Sequence, residues 1–294
     1  MCDQDSMDDM IQYQLKLKAD GLSRRQFGVL GLGAGLMSLL PPVANAAAVT
    51  ASAVAIKTPD GTADAWFAHP ATGAAPGVLI WPDIFGLRPA FQQMARKLAE
   101  SGYSALVVNP FYRNQKAPTA PLPPSMADPA VRTTLVELMN SLTPATTAID
   151  AKAFLAWLDR QPSVDKKRKM ATTGYCMGGP LTMRTAAQFP DRIGAGASFH
   201  GTALATDQPD SPHLLIPKMK ASYLVAIAAN DDQRSPEEKN MLKAAFSQAN
   251  LPHEIEVYVG AQHGWCPPDS QAHNPELAEK AWARMLAIFK TTLA

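Results

Sequence analysis

The sequence Gly174-Tyr175-Cys176-Met177-Gly178-Gly179 decides the fold of this chain. It follows an apolar run at residues 169–173 and precedes a segment with helical spacing at residues 181–189. This succession predicts a strand, a tight turn and a helix, with a cysteine at the tip. Small residues two positions before and after the cysteine permit a turn sharp enough to hold its side chain in a strained, exposed pose. The pattern is that of a nucleophile elbow in which sulfur replaces the serine oxygen.

The predicted position of Cys176 at the start of a helix suits a nucleophile. The field of a helix N-terminus stabilises a thiolate, which is the reactive form of cysteine. Free backbone N–H groups at the same place can bind the oxyanion that forms on acyl attack. The alternative interpretation of Cys176 is a buried structural cysteine in a glycine-rich turn.

Strand and helix patterns alternate on both sides of the elbow. Two strand-like runs flank the turn Pro59-Asp60-Gly61 and predict an opening hairpin. Continuous apolar runs then suit parallel strands buried on both faces. The predicted strands are residues 50–57, 63–69, 77–81, 103–109, 193–199, 221–228 and 253–258, and the predicted helices are residues 89–101, 131–142, 146–160, 236–248 and 275–293. The predicted fold class is α/β, with a mostly parallel central sheet flanked by helices on both faces.

Residues 117–129 are dense in proline and predict an ordered loop without regular structure. Two interpretations of this loop stay open. It either shapes a pocket at the edge of the sheet or is a solvated connection.

Residues 1–46 look unlike the rest of the chain. Consecutive arginines at Arg24 and Arg25 precede a short apolar run, and Ala44-Asn45-Ala46 offers small residues for cleavage. This pattern predicts a signal peptide read by the twin-arginine export machinery, cleaved near Ala46, and a periplasmic or exported protein. The apolar run is too short and too rich in glycine for a stable membrane span. The alternative is an N-terminal amphipathic or anchoring helix. Residues 47–294 are expected to form a single domain.

The composition favours small-molecule chemistry. The 294 residues are 47% hydrophobic and 18% charged, with a formal charge of +1. This balance gives no electrostatic footprint for nucleic acid or an anionic membrane. Gly31, Gly33 and Gly35 have no preceding strand and so do not indicate a dinucleotide loop. No histidine and cysteine spacing matches a zinc site, so neither a metal nor a cofactor is expected. The protein is expected to be a monomer or a small homo-oligomer.

A thiol nucleophile in an acyl-transfer site needs a base and a carboxylate that orients the base. Among the six histidines, His263 follows the last predicted strand, where a loop would return it to the carboxyl edge of the sheet. The carboxylate should follow the strand at residues 221–228, where Asn230-Asp231-Asp232 stands. The order nucleophile, acid, histidine matches that of the α/β-hydrolases. The residues alone leave Asp231 and Asp232 as alternatives, because one of them could instead cap the next helix.

The chain resembles the dienelactone hydrolase family of α/β-hydrolases over nearly all of residues 47–294. Three blocks carry the resemblance: Trp81-Pro82-Asp83-Ile84-Phe85-Gly86, Gly174 to Gly179, and the pairing of Asp232 with Gln262-His263-Gly264. The resemblance implies that Cys176 attacks an ester or lactone carbonyl, that His263 takes and returns the proton, and that Asp232 orients the imidazole. Asp232 is preferred because the family places its acid four residues before a proline, here Pro236.

The resemblance also implies roles for residues around the nucleophile. The backbone N–H groups of Met177 and Ile84 would form the oxyanion hole. Asp83 stands where the founding type has a glutamate that holds the resting cysteine. Arg113 lies near the place of one of two arginines that clamp a substrate carboxylate, and the alternative for it is a surface arginine. The position of the second arginine is Pro267, so the resemblance implies ester or lactone hydrolysis and leaves turnover of dienelactone itself open.

Three further interpretations concern residues outside these blocks. His200 ends a strand at the same edge and either lines the pocket or packs as a core histidine. A catalytically silent protein that binds a small ligand is the alternative function, although it has no need for cysteine, histidine and acid together. Cys176 and Cys266 are 90 residues apart, which does not match a redox C-x-x-C pair. Free thiols are predicted for the active form, because a disulfide would block the nucleophile.

Overall fold

The computed structural model describes Gln12 and residues 46–294. The predicted export signal at residues 1–46 therefore lies almost entirely outside the described residues. The described chain opens with an antiparallel hairpin of β1 (Val49–Thr58) and β2 (Gly61–Pro70), as predicted. Gly61 has a φ of 143° in the turn, a conformation that favours glycine.

The hairpin forms one edge of an eight-stranded sheet with the order β1-β2-β4-β3-β5-β6-β7-β8. β2 pairs antiparallel with β4, and every later pairing is parallel. The six further strands are β3 (Gly77–Trp81), β4 (Ser104–Val108), β5 (Met170–Tyr175), β6 (Ile193–Phe199), β7 (Ser222–Ala228) and β8 (His253–Tyr258). β3, β4, β5 and β6 are buried at every position, as parallel strands covered on both faces are.

Helices cover both faces of the sheet. They are α1 (Pro89–Glu100), α2 (Pro129–Asn140), α3 (Pro144–Leu158), α4 (Gly178–Gln188), α5 (Ala229–Arg234), α6 (Glu238–Gln248) and α7 (Pro275–Thr292), with a 3-10 helix at Pro212–Lys218. One buried cluster joins a sheet face to Phe91 of α1 and Phe289 of α7. Another joins the opposite face to Phe154 of α3, Met183 of α4 and Phe246 of α6. These two cores confirm the predicted α/β fold with helices on both faces.

The structure differs from the sequence prediction mainly after β7. Asn230, Asp231 and Asp232 lie in the short helix α5, which was not predicted. The 3-10 helix at Pro212–Lys218 was also not predicted, because a short segment with prolines at both ends gives no helical period. No helix in residues 46–294 has the length and apolar character needed to cross a membrane.

The proline-rich segment packs onto the carboxyl edge of the sheet. Met126 is fully buried in a small third core that also contains Ile84, Cys176 and Met177, together with Leu135 of α2. This packing favours the first interpretation of the loop, in which it shapes a pocket. Pro124 of this segment lines the same pocket as residues that follow β3, β5, β6 and β8.

Candidate active site

Cys176 occupies the turn between β5 and α4, as the elbow pattern predicts. Its φ of 53° lies in the left-handed region, which is strained for a residue with a side chain. Two hydrogen bonds fix the turn: Cys176 N donates to Phe199 O at 3.0 Å, and Gly179 N donates to Cys176 O at 2.9 Å. The side chain is 4% exposed and lines the pocket at the edge of the sheet.

The glycines around Cys176 are required by close backbone approaches. A Cβ on Gly174 would lie 2.1 Å from Gly178 O, and a Cβ on Gly178 would lie 2.3 Å from Trp81 O. Both distances are far inside van der Waals contact. The two glycines therefore let α4 begin directly against β5 and the loop after β3, which holds Cys176 in position.

His263 lies in the loop after β8 and is bonded to Asp231. Its Nδ1 atom is 2.9 Å and 3.0 Å from the two carboxylate oxygens of Asp231, and both side chains are 3% exposed. Since a carboxylate only accepts, we assign the proton to Nδ1 and leave Nε2 as the acceptor. The backbone N–H of His263 donates to Asn230 Oδ1 at 2.8 Å, which ties the histidine loop to α5 a second time. His263 and Cys176 line the same pocket.

The expectation that Asp232 orients His263 is wrong. Asp232 accepts a hydrogen bond from Lys239 Nζ at 2.6 Å, and Asp231 holds His263 instead. The reason is that both aspartates lie in helix α5, where successive side chains are turned by about 100°. Only one of two adjacent residues can then face the histidine loop.

Ile84 and Met177 stand where an oxyanion hole is expected. Ile84 lies in the loop after β3 and lines the pocket, and Met177 precedes the first residue of α4. Neither backbone N–H donates a hydrogen bond to another residue of the described part of the chain. Two donors near the cysteine are therefore available to a ligand.

Asp83 lines the pocket, but Arg88 holds both of its oxygens. Arg88 Nη1 lies 2.6 Å from Asp83 Oδ1, and Nη2 lies 2.9 Å from Oδ2. The Phe85 N–H donates to Oδ1 as well, at 3.0 Å. Burial raises the pKa of Asp83, the charge of Arg88 opposes the rise, and nearby Asp269 adds to it. The role implied by the resemblance, holding the resting cysteine, stays a prediction for Asp83.

Arg88 was not identified from the sequence, and neither was its second partner. Arg88 Nε and Nη2 donate to Asp269 at 2.7 Å and 3.0 Å, so that one guanidinium joins the loop after β3 to the loop after β8. Burial disfavours the charged guanidinium, but the two carboxylates outweigh it and raise the pKa of Arg88. A lone arginine before Pro89 carries no motif, so no sequence signal marked it.

The expectation that Arg113 binds a substrate carboxylate is not supported. Arg113 makes two hydrogen bonds to Asp150, at 2.7 Å and 2.8 Å, and two to Asp60. Tyr112 donates to the same Asp150 at 2.7 Å. Arg113 is not among the residues that line the pocket. Its side chain is 17% exposed and joins the hairpin turn to α3, a structural role that the alternative of a surface arginine did not foresee.

His200 is both a core histidine and a residue that lines the pocket, the two interpretations that the sequence left open. It is fully buried, and it also lines the pocket. Its ring centroid lies 4.9 Å from that of His263 and 5.2 Å from that of Trp265. Neither ring nitrogen has a hydrogen-bond partner in the described part of the chain. Burial, followed by the nearby His263, lowers the pKa of His200 well below the ordinary histidine value.

The complete pocket encloses about 370 Å³, including the part open to solvent. This is at the lower end of the range for small-molecule sites. The residues that line it are Asp83, Ile84, Phe85, Arg88, Pro124, Cys176, His200, His263, Gly264, Ser270 and Gln271. Both Cys176 and Cys266 are free thiols. No group of three or more histidine, cysteine, aspartate or glutamate side chains in residues 46–294 is arranged to hold a metal ion.

Comparison with known proteins identifies the family. The profile of the dienelactone hydrolase family matches residues 63–293. A carboxymethylenebutenolidase-like protein of Escherichia coli (strain K12) is 26% identical over 248 residues, which cover 83% of this chain and 88% of that protein. The carboxymethylenebutenolidase of Rhodococcus opacus is 25% identical over 227 residues, covering 76% of this chain and 83% of that protein.

The fold has solved counterparts. A dienelactone hydrolase-like crystal structure from Klebsiella pneumoniae superposes with a TM-score of 0.72 at 24% identity, covering 83% of this chain and 99% of the other. This likeness agrees with the eight-stranded sheet and its flanking helices, and it identifies the α/β-hydrolase fold. The chain belongs to the dienelactone hydrolase family, whose members indicate a lactone or ester hydrolase.

Proposed function

We propose that this protein hydrolyses small esters or lactones through a thioester on Cys176, with His263 as base and Asp231 as its orienting carboxylate. The observation that carries the proposal is the buried bond between His263 Nδ1 and Asp231, beside a pocket that Cys176 also lines. Thiol, imidazole and carboxylate in this arrangement are the parts of a nucleophilic triad.

In the acylation step, His263 Nε2 takes the proton from the thiol of Cys176 and the sulfur attacks the carbonyl carbon. The carbonyl oxygen becomes an oxyanion, which the backbone N–H groups of Ile84 and Met177 stabilise. When the tetrahedral adduct collapses, the bond to the alkoxy oxygen breaks and His263 returns the proton to that oxygen. For a lactone the released alcohol stays attached to the acyl group.

In the deacylation step, His263 takes a proton from water and the resulting hydroxide attacks the thioester. The bond from carbon to sulfur breaks, and the proton returns to the sulfur. A carboxylic acid leaves and the free thiol is restored. The Asp231 carboxylate stabilises the imidazolium that forms twice in each cycle.

The test is hydrolysis of para-nitrophenyl acetate and dihydrocoumarin, a neutral lactone, by residues 47–294. Cys176→Ala should lower kcat by about a thousandfold or more. Cys266→Ala is the matched control, since it removes the other buried thiol outside the pocket lining and should keep turnover. Hydrolysis that survives in Cys176→Ala would contradict the cysteine mechanism. Binding of these compounds without turnover by the unchanged protein would favour the silent ligand-binding alternative.

We also propose that the precursor is exported to the periplasm by the twin-arginine machinery. Arg24 and Arg25, the apolar run and Ala44-Asn45-Ala46 support this proposal. Replacing both arginines with lysine should leave the full-length precursor in the cytoplasm. Cell fractionation with N-terminal sequencing of the exported form is the measurement, and periplasmic delivery of the double variant would contradict the proposal.

A further inference from the structure

The pocket wall contains one cation that is shared by two carboxylates. Asp83 binds Arg88 through Nη1 and Nη2, and Asp269 binds it through Nε and Nη2. The Arg88 side chain is 2% exposed, and those of Asp83 and Asp269 are 9% and 18% exposed. One positive and two negative charges leave this group, which we call the Arg88 triad, with a formal charge of minus one.

The guanidinium has no donor left for a ligand. An arginine carries five N–H groups in a fixed plane. The Arg88 triad uses four of them, and the fifth, on Nη1, lies 3.3 Å from the carbonyl oxygen of Gly86. An incoming carboxylate could therefore bind Arg88 only by displacing Asp83 or Asp269. The net negative charge of the triad would also repel that carboxylate as it approached Arg88.

A second polar group in the pocket is open to a ligand, and it carries no charge. His200 is fully buried, lines the pocket, and has no hydrogen-bond partner for either ring nitrogen in residues 46–294. Its lowered pKa keeps it neutral near pH 7. A neutral imidazole offers one donor and one acceptor, which suit a hydroxyl, carbonyl or ether oxygen better than a carboxylate.

We propose that this pocket selects uncharged esters and lactones over anionic ones, because the Arg88 triad repels negative charge beside Cys176 and His200 binds neutral polar groups. The inference rests on the proposed function only in naming esters and lactones as the compounds that enter the pocket. The charge preference itself belongs to the pocket around Cys176 and can be measured without hydrolysis.

The kinetic test compares two para-nitrophenyl esters of similar length, a neutral butyrate and an anionic hemisuccinate. The unchanged protein should show a kcat/KM for the hemisuccinate lower by about tenfold or more. Asp269→Asn makes the Arg88 triad neutral. It should reduce the ratio of kcat/KM for the butyrate to kcat/KM for the hemisuccinate by about tenfold. Asp191→Asn is the matched control, because Asp191 carries the same charge, is 87% exposed and precedes β6 at the opposite edge of the sheet. It should leave the ratio unchanged.

The second test uses alkylation of Cys176 by iodoacetamide, which is neutral, and by iodoacetate, which is anionic and of nearly the same size. The label on Cys176 is followed by peptide mass spectrometry, and β-mercaptoethanol gives the intrinsic ratio of the two rates. The protein should disfavour iodoacetate by about tenfold beyond that ratio, and added salt should weaken the preference. Asp269→Asn should remove it.

The outcomes separate the two proposals. An alkylation preference that Asp269→Asn removes supports the charge inference even where no ester is hydrolysed, in which case only the proposed function fails. If the unchanged protein shows the same ratio of alkylation rates as β-mercaptoethanol, the inference is overturned, even where esters are hydrolysed. If Asp269→Asn fails to fold, the salt dependence in the unchanged protein decides: a preference that salt does not weaken is not electrostatic.

Discussion

His263 Nδ1 lies 2.9 Å from a carboxylate oxygen of Asp231, while the adjacent Asp232 is bonded to Lys239. Two neighbouring aspartates of one short helix therefore have different tasks. The Asp231 side chain is 3% exposed and faces the histidine, whereas the Asp232 side chain is 21% exposed and faces α6. This relationship leads directly to a paired substitution.

Asp231→Asn should lower kcat by about three to four orders of magnitude, because an amide can hold His263 in the wrong tautomer and cannot stabilise the imidazolium. Asp232→Asn should leave kcat nearly unchanged, since it weakens only a partly exposed ion pair worth about 1 kcal/mol or less. Steady-state hydrolysis of para-nitrophenyl acetate by the two variants is the measurement. The reverse ranking would assign the acid to Asp232.

Arg113→Met should destabilise the protein by about 3 kcal/mol, because it leaves the Asp150 carboxylate buried without its cation. The Asp150 side chain is 1% exposed and retains only the hydrogen bond from Tyr112. Asp60→Asn, at the exposed end of the same arginine, should cost less than about 1 kcal/mol. Urea unfolding measures both effects. Neither substitution should change kcat/KM by much, and a large loss of activity in a folded Arg113→Met would return this residue to the substrate site.

His200 should make the folded protein less stable in mild acid. Its folded pKa lies well below its unfolded value of about 6.5, so the unfolded chain binds a proton first as the pH falls. Stability therefore declines below about pH 6.5, with a slope of up to about 1.4 kcal/mol per pH unit from this group. His200→Gln removes that contribution. Urea unfolding of both proteins at about pH 7.5 and pH 5.5 should show a gap that changes with pH.

His213 and His273 also have lowered pKa values through burial, but they are present in both proteins and cancel in the comparison. Parallel stability curves for the two proteins across this range would show that His200 takes up a proton as readily in the folded state as in the unfolded one.

Gly178→Ala should destabilise the protein by about 1–3 kcal/mol, because the new Cβ would lie 2.3 Å from Trp81 O, a backbone atom rather than the end of a flexible side chain. Gly77→Ala is the matched control. Its Cβ would meet only the flexible side chain of Met170, at 3.1 Å, and should cost less. Thermal unfolding ranks the two variants, and equal costs would show that the loop after β3 can retreat from α4.

The fold and the place of Cys176 in the turn between β5 and α4 were predictable because their signals are local. Buried parallel strands show as continuous apolar runs, and the elbow around Cys176 is specified by neighbouring glycines. The position of His263 followed from the rule that loops after parallel strands return to one edge. Each of these inferences depends on residues within a few positions of one another.

The wrong and missing predictions depend on features that neighbouring residues in the sequence do not reveal. The choice between Asp231 and Asp232 depends on the direction in which a six-residue helix turns, which a short segment does not reveal. Arg88 and Asp269 are 181 residues apart, and neither has a neighbouring pattern that suggests an ion pair. The ion pairs of Arg113 were not foreseen because its partners, Asp60 and Asp150, lie on the hairpin turn and on α3, far from it in sequence.

The bond between Arg88 and Asp269 has a consequence for the order in which the site can arise. It joins the loop after β3, in the first third of the chain, to a loop that follows the last strand. Nearly the whole domain has been synthesised before Asp269 is added to the chain. Arg88 therefore cannot bind its second carboxylate until that stage. A truncated chain that ends before residue 263 would lack both Asp269 and His263. Such a chain would contain Cys176 without His263, so under the proposed mechanism activity is acquired only when synthesis of the domain is almost finished.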